Sequence, residues 1–344
     1  MSQRLGYIDF FRAICVIIIV AFHCYGMMYA GHFPSFVHGY KEMYFTLFQC
    51  ILVTFAMPMF TVISGLLYGR LYNKGKYRDR ITFIKGKARH LILPFLLFTA
   101  LFIPLSAFNS ISVSDSIFQI LRAWSKGGYS HLWYLPMIFW CFFFTMFINK
   151  KSKYIKIGLL VIAFAFSLFS YDNIGFNVFG LFSFLSWYFF FLFGYFIGFY
   201  HKQILNFIDH NNLLVLIIVI CIFSGWLSNF PKYGERNIYY MFYISSLILI
   251  IIYSCEKFIN TNSFLWNNTL IKTISKYSYG IYIFHYLLAP FLISGTVQRL
   301  FHIDRLAADN IILFPLSFTI LTFIISLTIT WLFQKTMLGK YLLG

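Results

Sequence analysis

Apolar runs of about 20 residues recur along the whole chain and are separated by short polar segments. A run of that length, wound as a helix, spans the ~30 Å hydrocarbon core of a bilayer. The fifth and seventh runs are shorter than the others. The pattern predicts an all-α polytopic integral membrane protein, with about ten transmembrane helices in a single domain over residues 1–344 and no separate soluble domain. The predicted spans are 7–28, 46–69, 91–108, 131–149, 157–171, 178–199, 213–228, 238–255, 276–296 and 310–333.

Lysine and arginine are concentrated in the segments that fall on one side of these spans. The connection 70–90 holds eight Lys or Arg residues against one Asp, and the segment 150–156 holds four lysines. Because strongly basic loops stay in the cytoplasm, we expect both segments there. An even number of spans then places both termini in the cytoplasm as well.

Composition agrees with a membrane protein. Hydrophobic residues make up 60% of the chain and charged residues 11%, and the mean hydropathy is +0.76, which excludes an ordinary soluble protein. The net charge of +17 is explained by topology, so it does not indicate a nucleic-acid partner. The six cysteines lie in or beside apolar runs without CxxC spacing, so we expect neither disulfides nor a metal site. The first run lacks a processing site and is expected to remain as a helix.

The first apolar run carries Asp9, Arg12 and His23. A charge near the bilayer centre costs about 3 kcal/mol, so such residues usually face an interior and have a function. Arg12 and His23 are eleven positions apart, which places them ~20° from eclipsed and ~16 Å apart along a helix. Asp9 precedes Arg12 by three positions, so all three share one stripe. Alternatively, Asp9 and Arg12 reach the cytoplasmic interface at a helix end, and His23 is simply hydrogen-bonded within the bundle.

Two further polar features lie toward the predicted cytoplasmic side. Ser64 and Gly65, in the second run, form either a ligand contact or a notch in which a neighbouring helix packs closely. The connection 70–90 is strongly basic, and such a cluster at a helix start suits the phosphates of a small ligand or those of anionic lipid headgroups equally. Its candidate phosphate ligands are Arg70, Lys85, Lys87 and Arg89.

Two more features occur in the fourth and ninth runs. The segment 130–136, SHLWYLP, suits either an aromatic belt at the membrane surface or contact with a sugar, through His131, Trp133 and Tyr134. In the ninth run one helix face is lined at spacings i, i+4 and i+7 by Ser278, Tyr282 and His285. The histidine lies well inside a span, so it is either a satisfied core residue or a substrate contact.

The ordered set of these features resembles the acyltransferase family 3 membrane proteins. The resemblance rests on Ile-Asp-x-x-Arg followed by a histidine in the first span, on Ser64-Gly65, on the basic run before Pro94, and on the His-Leu-Trp-Tyr-Leu and Ser-Tyr-Gly-Ile-Tyr-Ile-Phe-His segments. Phe284 departs from the aliphatic residue usual in that family. Members are ten-helix proteins that move acyl groups, commonly acetyl from acetyl-CoA, onto sugars of surface or lipid-linked glycans.

The resemblance implies a role for each candidate. His23 would act as general base or acyl carrier, with Arg12 and Asp9 beside it, and Arg12 would work with the donor. Donor contacts would come from Arg70, Lys85, Lys87, Arg89 and Ser64. Acceptor contacts would come from His131, Trp133, Tyr134, Ser278, Tyr282 and His285.

The expected partners follow from the same resemblance. Acyl-CoA is expected as a substrate, a carbohydrate as acceptor and lipids as surroundings, in a bacterial inner membrane. No tightly bound cofactor is expected. The alternative is a transporter or flippase of glycans or lipids, disfavoured because the two halves lack a matching pair of Gly/Pro-broken helices. The sequence leaves the acceptor sugar and the oligomeric state open.

Overall fold

The computed structural model describes residues 6–27, 54–106, 113–169, 177–228, 237–257, 268–292 and 313–343, and within these ranges the chain is helical and contains no strand. A π-helical turn lies at Ala88–Ile92 and a 3-10 turn at Ser130–Trp133. The α-helices are α1 (Gly6–Met27), α2 (Thr54–Asn73), α3 (Arg80–Lys87), α4 (Leu93–Ser106), α5 (Val113–Lys126), α6 (Tyr134–Ile148), α7 (Lys153–Ser167), α8 (Leu181–Phe199), α9 (His201–His210), α10 (Leu213–Leu227), α11 (Ile238–Lys257), α12 (Thr269–Leu292), α13 (Leu313–Phe333) and α14 (Met337–Leu343).

Each of the ten predicted spans overlaps one of these helices. Among the described residues, six helical segments are long and apolar enough to cross a membrane, or seven if the bent pair α9 and α10 is counted as one span. The count of ten and the cytoplasmic termini therefore stay predictions. The two spans predicted to be short correspond to α7 and α10, which have 15 residues each. At 1.5 Å per residue, such a helix is only ~22 Å long.

The basic connection 70–90 is largely helical, whereas the sequence pattern indicated a loop. Helix α2 continues to Asn73, and α3 begins at Arg80 after a short turn. The start of α3 is capped by the Asp79 carboxylate, which accepts hydrogen bonds from the backbone N–H groups of Ile81 (3.1 Å) and Thr82 (3.3 Å). Hydrogen bonds from the Thr82 side chain and from the Ile81 backbone lower the pKa of this carboxyl. The basic residues therefore stand on a capped helix that runs into the next apolar segment.

Four of the described α-helices have no counterpart among the predicted spans, namely α3, α5, α9 and α14. Helix α5 is amphipathic and lies in the segment 109–130, for which the apolar pattern predicts only an outer connection. Helix α9 meets α10 at a bend of 95°. Both α5 and α9 are amphipathic, so their apolar residues do not form the continuous run from which a span is predicted.

The chain folds into two compact units. In the first, α1 packs against α12 and α13, and α12 packs against α13. The ring of Phe98 makes edge-to-face contacts with Phe284 (5.2 Å between centroids) and Phe333 (6.2 Å). The departure from an aliphatic residue at position 284 is thus accommodated by an aromatic contact. As far as they are described, the residues of this unit are 1–57, 97–120 and 264–344.

The second unit takes in residues 58–96 and 121–263 as far as they are described. It contains a close crossing of α2 and α8, which we call the glycine crossing. A Cβ placed on any of four glycines would lie 2.0–2.4 Å from a backbone carbonyl oxygen of the other helix. Only glycine permits this approach, which gives the two backbones extensive van der Waals contact. The four residues are Gly65 and Gly69 on α2, and Gly194 and Gly198 on α8.

Candidate functional site

The ionisable residues of α1 meet polar residues of α12 along a line that we call the polar seam. Its members are Asp9, Arg12 and His23 on α1 and Ser275, Ser278 and His285 on α12. All three α1 residues contact the same neighbouring helix, as the predicted stripe requires. The two helices are otherwise mostly apolar, so the polar seam collects polar groups of this helix pair on its inner face.

At one end of the polar seam, the two serines of α12 form hydrogen bonds with the charged residues of α1. The Ser275 hydroxyl donates to Asp9 Oδ1 at 2.7 Å, and Arg12 Nη2 donates to the Ser278 hydroxyl at 3.3 Å. Ser278 in turn donates to the Ser275 carbonyl at 2.8 Å. Asp9 and both serines are buried. A buried carboxylate is tolerated only where hydrogen bonds replace water, and Ser275 supplies one such bond, to Oδ1.

Further along the polar seam two histidines face each other. His23 Nδ1 and His285 Nε2 lie 3.0 Å apart, and His285 Nδ1 lies 3.1 Å from the Ile281 carbonyl oxygen. His285 is completely buried, whereas His23 is only partly so. The ring of Tyr286 stands edge-on to that of His23, with 5.5 Å between the centroids. The ring centroid of Tyr282 lies 6.0 Å from that of His285. His23 is therefore the more accessible member of a hydrogen-bonded pair.

This arrangement has a definite chemical capacity. An imidazole can take a proton from a hydroxyl or attack a carbonyl carbon directly. Arg12 supplies a guanidinium on the same helix, which can bind an anionic group. Group transfer needs a base or a nucleophile, and the polar seam offers one in a partly buried setting.

Comparison with known proteins tests the family that these motifs indicate. A family model described as an acyltransferase domain matches residues 5–335, nearly the whole chain. The chain belongs to the acyltransferase 3 family. This acyltransferase is accordingly a membrane enzyme that transfers acyl groups. The comparisons with curated proteins and with solved structures returned no match.

The predicted donor residues of the acyltransferase have different surroundings in the second unit. Ser64 donates to the Phe60 carbonyl at 3.0 Å, within its own helix. Its neighbour Gly65 belongs to the glycine crossing, so a packing notch explains that position. Lys85 and Arg89 are exposed at α3 and at the π-helical turn.

Two of the predicted donor cations have close partners. Arg70 Nη2 lies 2.6 Å from Glu256 Oε1, and His201 Nε2 lies 3.3 Å from the same oxygen. The side chains of Arg70 and Glu256 are each only 14% exposed. Lys87 turns back over the protein, with Nζ 3.7 Å from the centroid of the Phe142 ring. Both contacts fix these cations against the protein.

The predicted acceptor residues fall in both units. In the second unit, His131 is buried in the 3-10 turn. The ring centroid of Trp133 lies 5.8 Å from that of Trp187, and the ring centroid of Tyr134 lies 6.0 Å from that of Phe60. In the first unit, Ser278, Tyr282 and His285 are buried on one face of α12, as their spacing predicted. Two of these, Ser278 and His285, contact α1 rather than an open cleft. The roles assigned to all these residues stay predictions.

Sequence reasoning missed three residues that the structure makes important. Ser275 precedes Ser278 by three positions on the same face of α12, so helical spacing could have revealed it. Glu256 lies at the end of α11, and its pairing with Arg70 carries no local signal because the two are 186 positions apart. Lys156 belongs to the segment predicted as a basic loop, yet it is 2% exposed, with Nζ 4.0 Å from the centroid of the Phe199 ring.

Proposed function

We propose that this acyltransferase moves an acyl group, in particular acetyl, from cytoplasmic acyl-CoA to a sugar hydroxyl of a cell-surface or lipid-linked glycan in a bacterial inner membrane. The observation that carries the proposal is His23, a partly buried imidazole within the polar seam of a family member. The alternative of a transporter or flippase leaves both the family and this imidazole unexplained.

The proposed chemistry needs one imidazole. In direct transfer, His23 takes the proton of the sugar hydroxyl while the sugar oxygen bonds to the thioester carbonyl carbon. The carbon–sulfur bond then breaks, and the proton passes from His23 to the CoA sulfur. In a relay, a His23 nitrogen bonds to the acyl carbon while the carbon–sulfur bond breaks and CoA leaves as the thiolate. The sugar oxygen then bonds to the acyl carbon, the nitrogen–carbon bond breaks, and the hydroxyl proton passes to the CoA sulfur. Both routes conserve the acyl group and yield the ester and free CoA.

Donor binding is assigned by charge. The exposed Lys85 and Arg89 are accessible to the phosphates of acyl-CoA, and Lys87 stands between them in sequence. Arg70 already lies against a carboxylate, so we assign it a lesser part in the donor site. Arg12 supplies a further cation within the polar seam.

A thermal-shift experiment on the purified protein tests donor binding. A ligand that binds the folded state raises the unfolding temperature with its concentration. Acetyl-CoA and CoA should both raise it, and 3′-dephospho-CoA should raise it less. The double variant Lys85→Gln/Arg89→Gln should lose the effect, whereas the exposed Lys202→Gln should keep it. Equal stabilisation of the variant and the wild type by acetyl-CoA would overturn the assignment.

The same experiment separates a donor from a lipid. If vesicles of phosphatidylglycerol stabilise the protein through Lys85 and Arg89 while CoA does not, the basic cluster binds lipid headgroups. For the acceptor, NMR of surface polysaccharide from a deletion strain should show loss of O-acetyl signals, restored by the intact gene. Unchanged acetylation, with altered glycan export, would instead support the transporter alternative.

A further inference from the structure

His285 was predicted as an acceptor contact, but both of its ring nitrogens already have partners inside the protein. Nδ1 lies 3.1 Å from the Ile281 carbonyl oxygen, and Nε2 lies 3.0 Å from His23 Nδ1. Its side chain is completely buried. A residue so placed is better suited to act on His23 than to contact a substrate.

The order of protons along this hydrogen-bonded chain can be derived. A carbonyl oxygen only accepts hydrogen bonds, so the contact with Ile281 requires a proton on Nδ1 of His285. In the neutral ring, Nε2 of His285 then carries a lone pair and accepts. The proton between the two rings therefore belongs to His23 Nδ1. By elimination, neutral His23 carries its lone pair on Nε2.

The opposite order requires a charged His285. A cationic ring would donate from both nitrogens, and His23 would then hold its lone pair on Nδ1. An imidazolium with no exposed surface, inside an apolar helix pair, loses its hydration and is costly. The charged members of the polar seam, Asp9 and Arg12, precede His23 by 14 and 11 positions, about 21 and 16 Å along α1. The neutral order is thus the stable one.

We propose that His285 is a positioning residue that holds His23 in the tautomer protonated at Nδ1, so that His23 reacts through Nε2. This inference rests on the proposed function of His23. When His23 Nε2 takes the proton of the sugar hydroxyl, the ring becomes an imidazolium whose Nδ1–H still donates to His285, which stabilises the positive charge. In the relay, the same nitrogen forms the bond to the acyl carbon.

Two amide substitutions at position 285 form a matched test. In His285→Gln, the side-chain amide reaches the place of Nε2 and can accept from His23 Nδ1–H. In His285→Asn, the amide stands at the place of Nδ1 and can bond to Ile281 but cannot reach His23. Both variants keep a buried polar group, so a merely structural role would affect them alike. The exposed His210→Asn serves as a control for the change of residue type.

The expected result is a difference in turnover. Since a positioned base contributes about 100-fold or more to proton transfer, His285→Asn should lower kcat by roughly that factor, with the KM for acyl-CoA nearly unchanged. His285→Gln should keep most of the wild-type kcat. A rise in the acceptor KM in both variants, with kcat unchanged, would instead make His285 a substrate contact and overturn the inference.

A spectroscopic measurement tests the tautomer directly. In protein labelled with ¹⁵N-histidine, the signals of His23 can be assigned by their loss in His23→Ala. Nε2 of His23 should give the unprotonated nitrogen signal in the wild type and in His285→Gln, and a mixture of tautomers in His285→Asn. An unprotonated Nδ1 in the wild type overturns the inference even if His23 proves essential. If His23→Ala retains activity, the proposed function fails instead.

Discussion

Gly194→Ala in α8 tests the packing of the second unit most sharply. A Cβ at this position would lie 2.0 Å from the Val62 carbonyl oxygen and 2.9 Å from the Val62 α-carbon. An ordinary carbon–oxygen contact is over 3 Å, so the two helices must separate by about 1 Å. Overpacking of this kind costs about 1–3 kcal/mol, and a helix backbone yields less easily than a side chain. We therefore expect a cost of about 2 kcal/mol, which the better helix propensity of alanine reduces to a net loss of about 1 kcal/mol.

Gly158→Ala in α7 is the matched control, because a Cβ there would meet nothing within 4 Å. This change should be neutral or stabilise the helix by about 0.5–1 kcal/mol. Thermal unfolding of the detergent-solubilised variants, followed by fluorescence-detected size exclusion, should show a lower unfolding temperature for Gly194→Ala only. If Gly194→Ala unfolds at or above the temperature of Gly158→Ala, the close helix crossing is wrong.

Three further predictions concern charged groups. Arg70→Gln should destabilise the protein more than the double variant with Glu256→Gln, because the single change leaves a part-buried carboxylate; a thermal double-mutant cycle should give a coupling of about 0.5–3 kcal/mol, and strict additivity would contradict it. Lys156→Met should have an unfolding temperature between those of the wild type and Lys156→Ala. Methionine keeps the packing of the apolar stem but loses a cation–π contact with Phe199 that is worth up to about 2 kcal/mol. Because capping lowers the pKa of Asp79, the stabilising effect of the cap should be complete above the unfolded-state pKa and disappear as the pH falls through the folded-state pKa. Asp79→Ala should therefore reduce the fall of the unfolding temperature at acid pH. The same dependence of unfolding temperature on pH in Asp79→Ala and the wild type would contradict this prediction.

The positions of the helices could be predicted from the sequence more reliably than the contacts between helices. Apolar runs and helical spacing depend on neighbouring residues, so they revealed the spans and the faces that carry His23 and His285. The hydrogen bond between those residues joins positions 262 apart, and it depends on how two helices dock. The basic connection was mistaken for a loop because it is polar, although lysine and arginine are equally compatible with a helix. Asp79 before Arg80 was the overlooked capping signal.

The same limit applied to the glycine crossing. Ser64-Gly65 was open between a ligand contact and a packing notch, because a small residue serves either purpose. A packing notch at Gly65 is supported by the second pair of glycines on α8, whose spacing of four matches that on α2, and the ligand contact of Ser64 stays a prediction. Such complementarity becomes visible only when both helices are placed.

Acyl transfer by this protein should depend above all on the His23 imidazole. The most direct measurement is CoA release from acetyl-CoA by the purified protein in lipid nanodiscs, with glycan from a deletion strain as acceptor. We expect His23→Gln to lower acceptor-dependent release by about 100-fold or more, with acetyl-CoA binding intact and with the exposed His210→Gln at wild-type rate. Turnover of His23→Gln at the wild-type rate would contradict the proposed role of this imidazole.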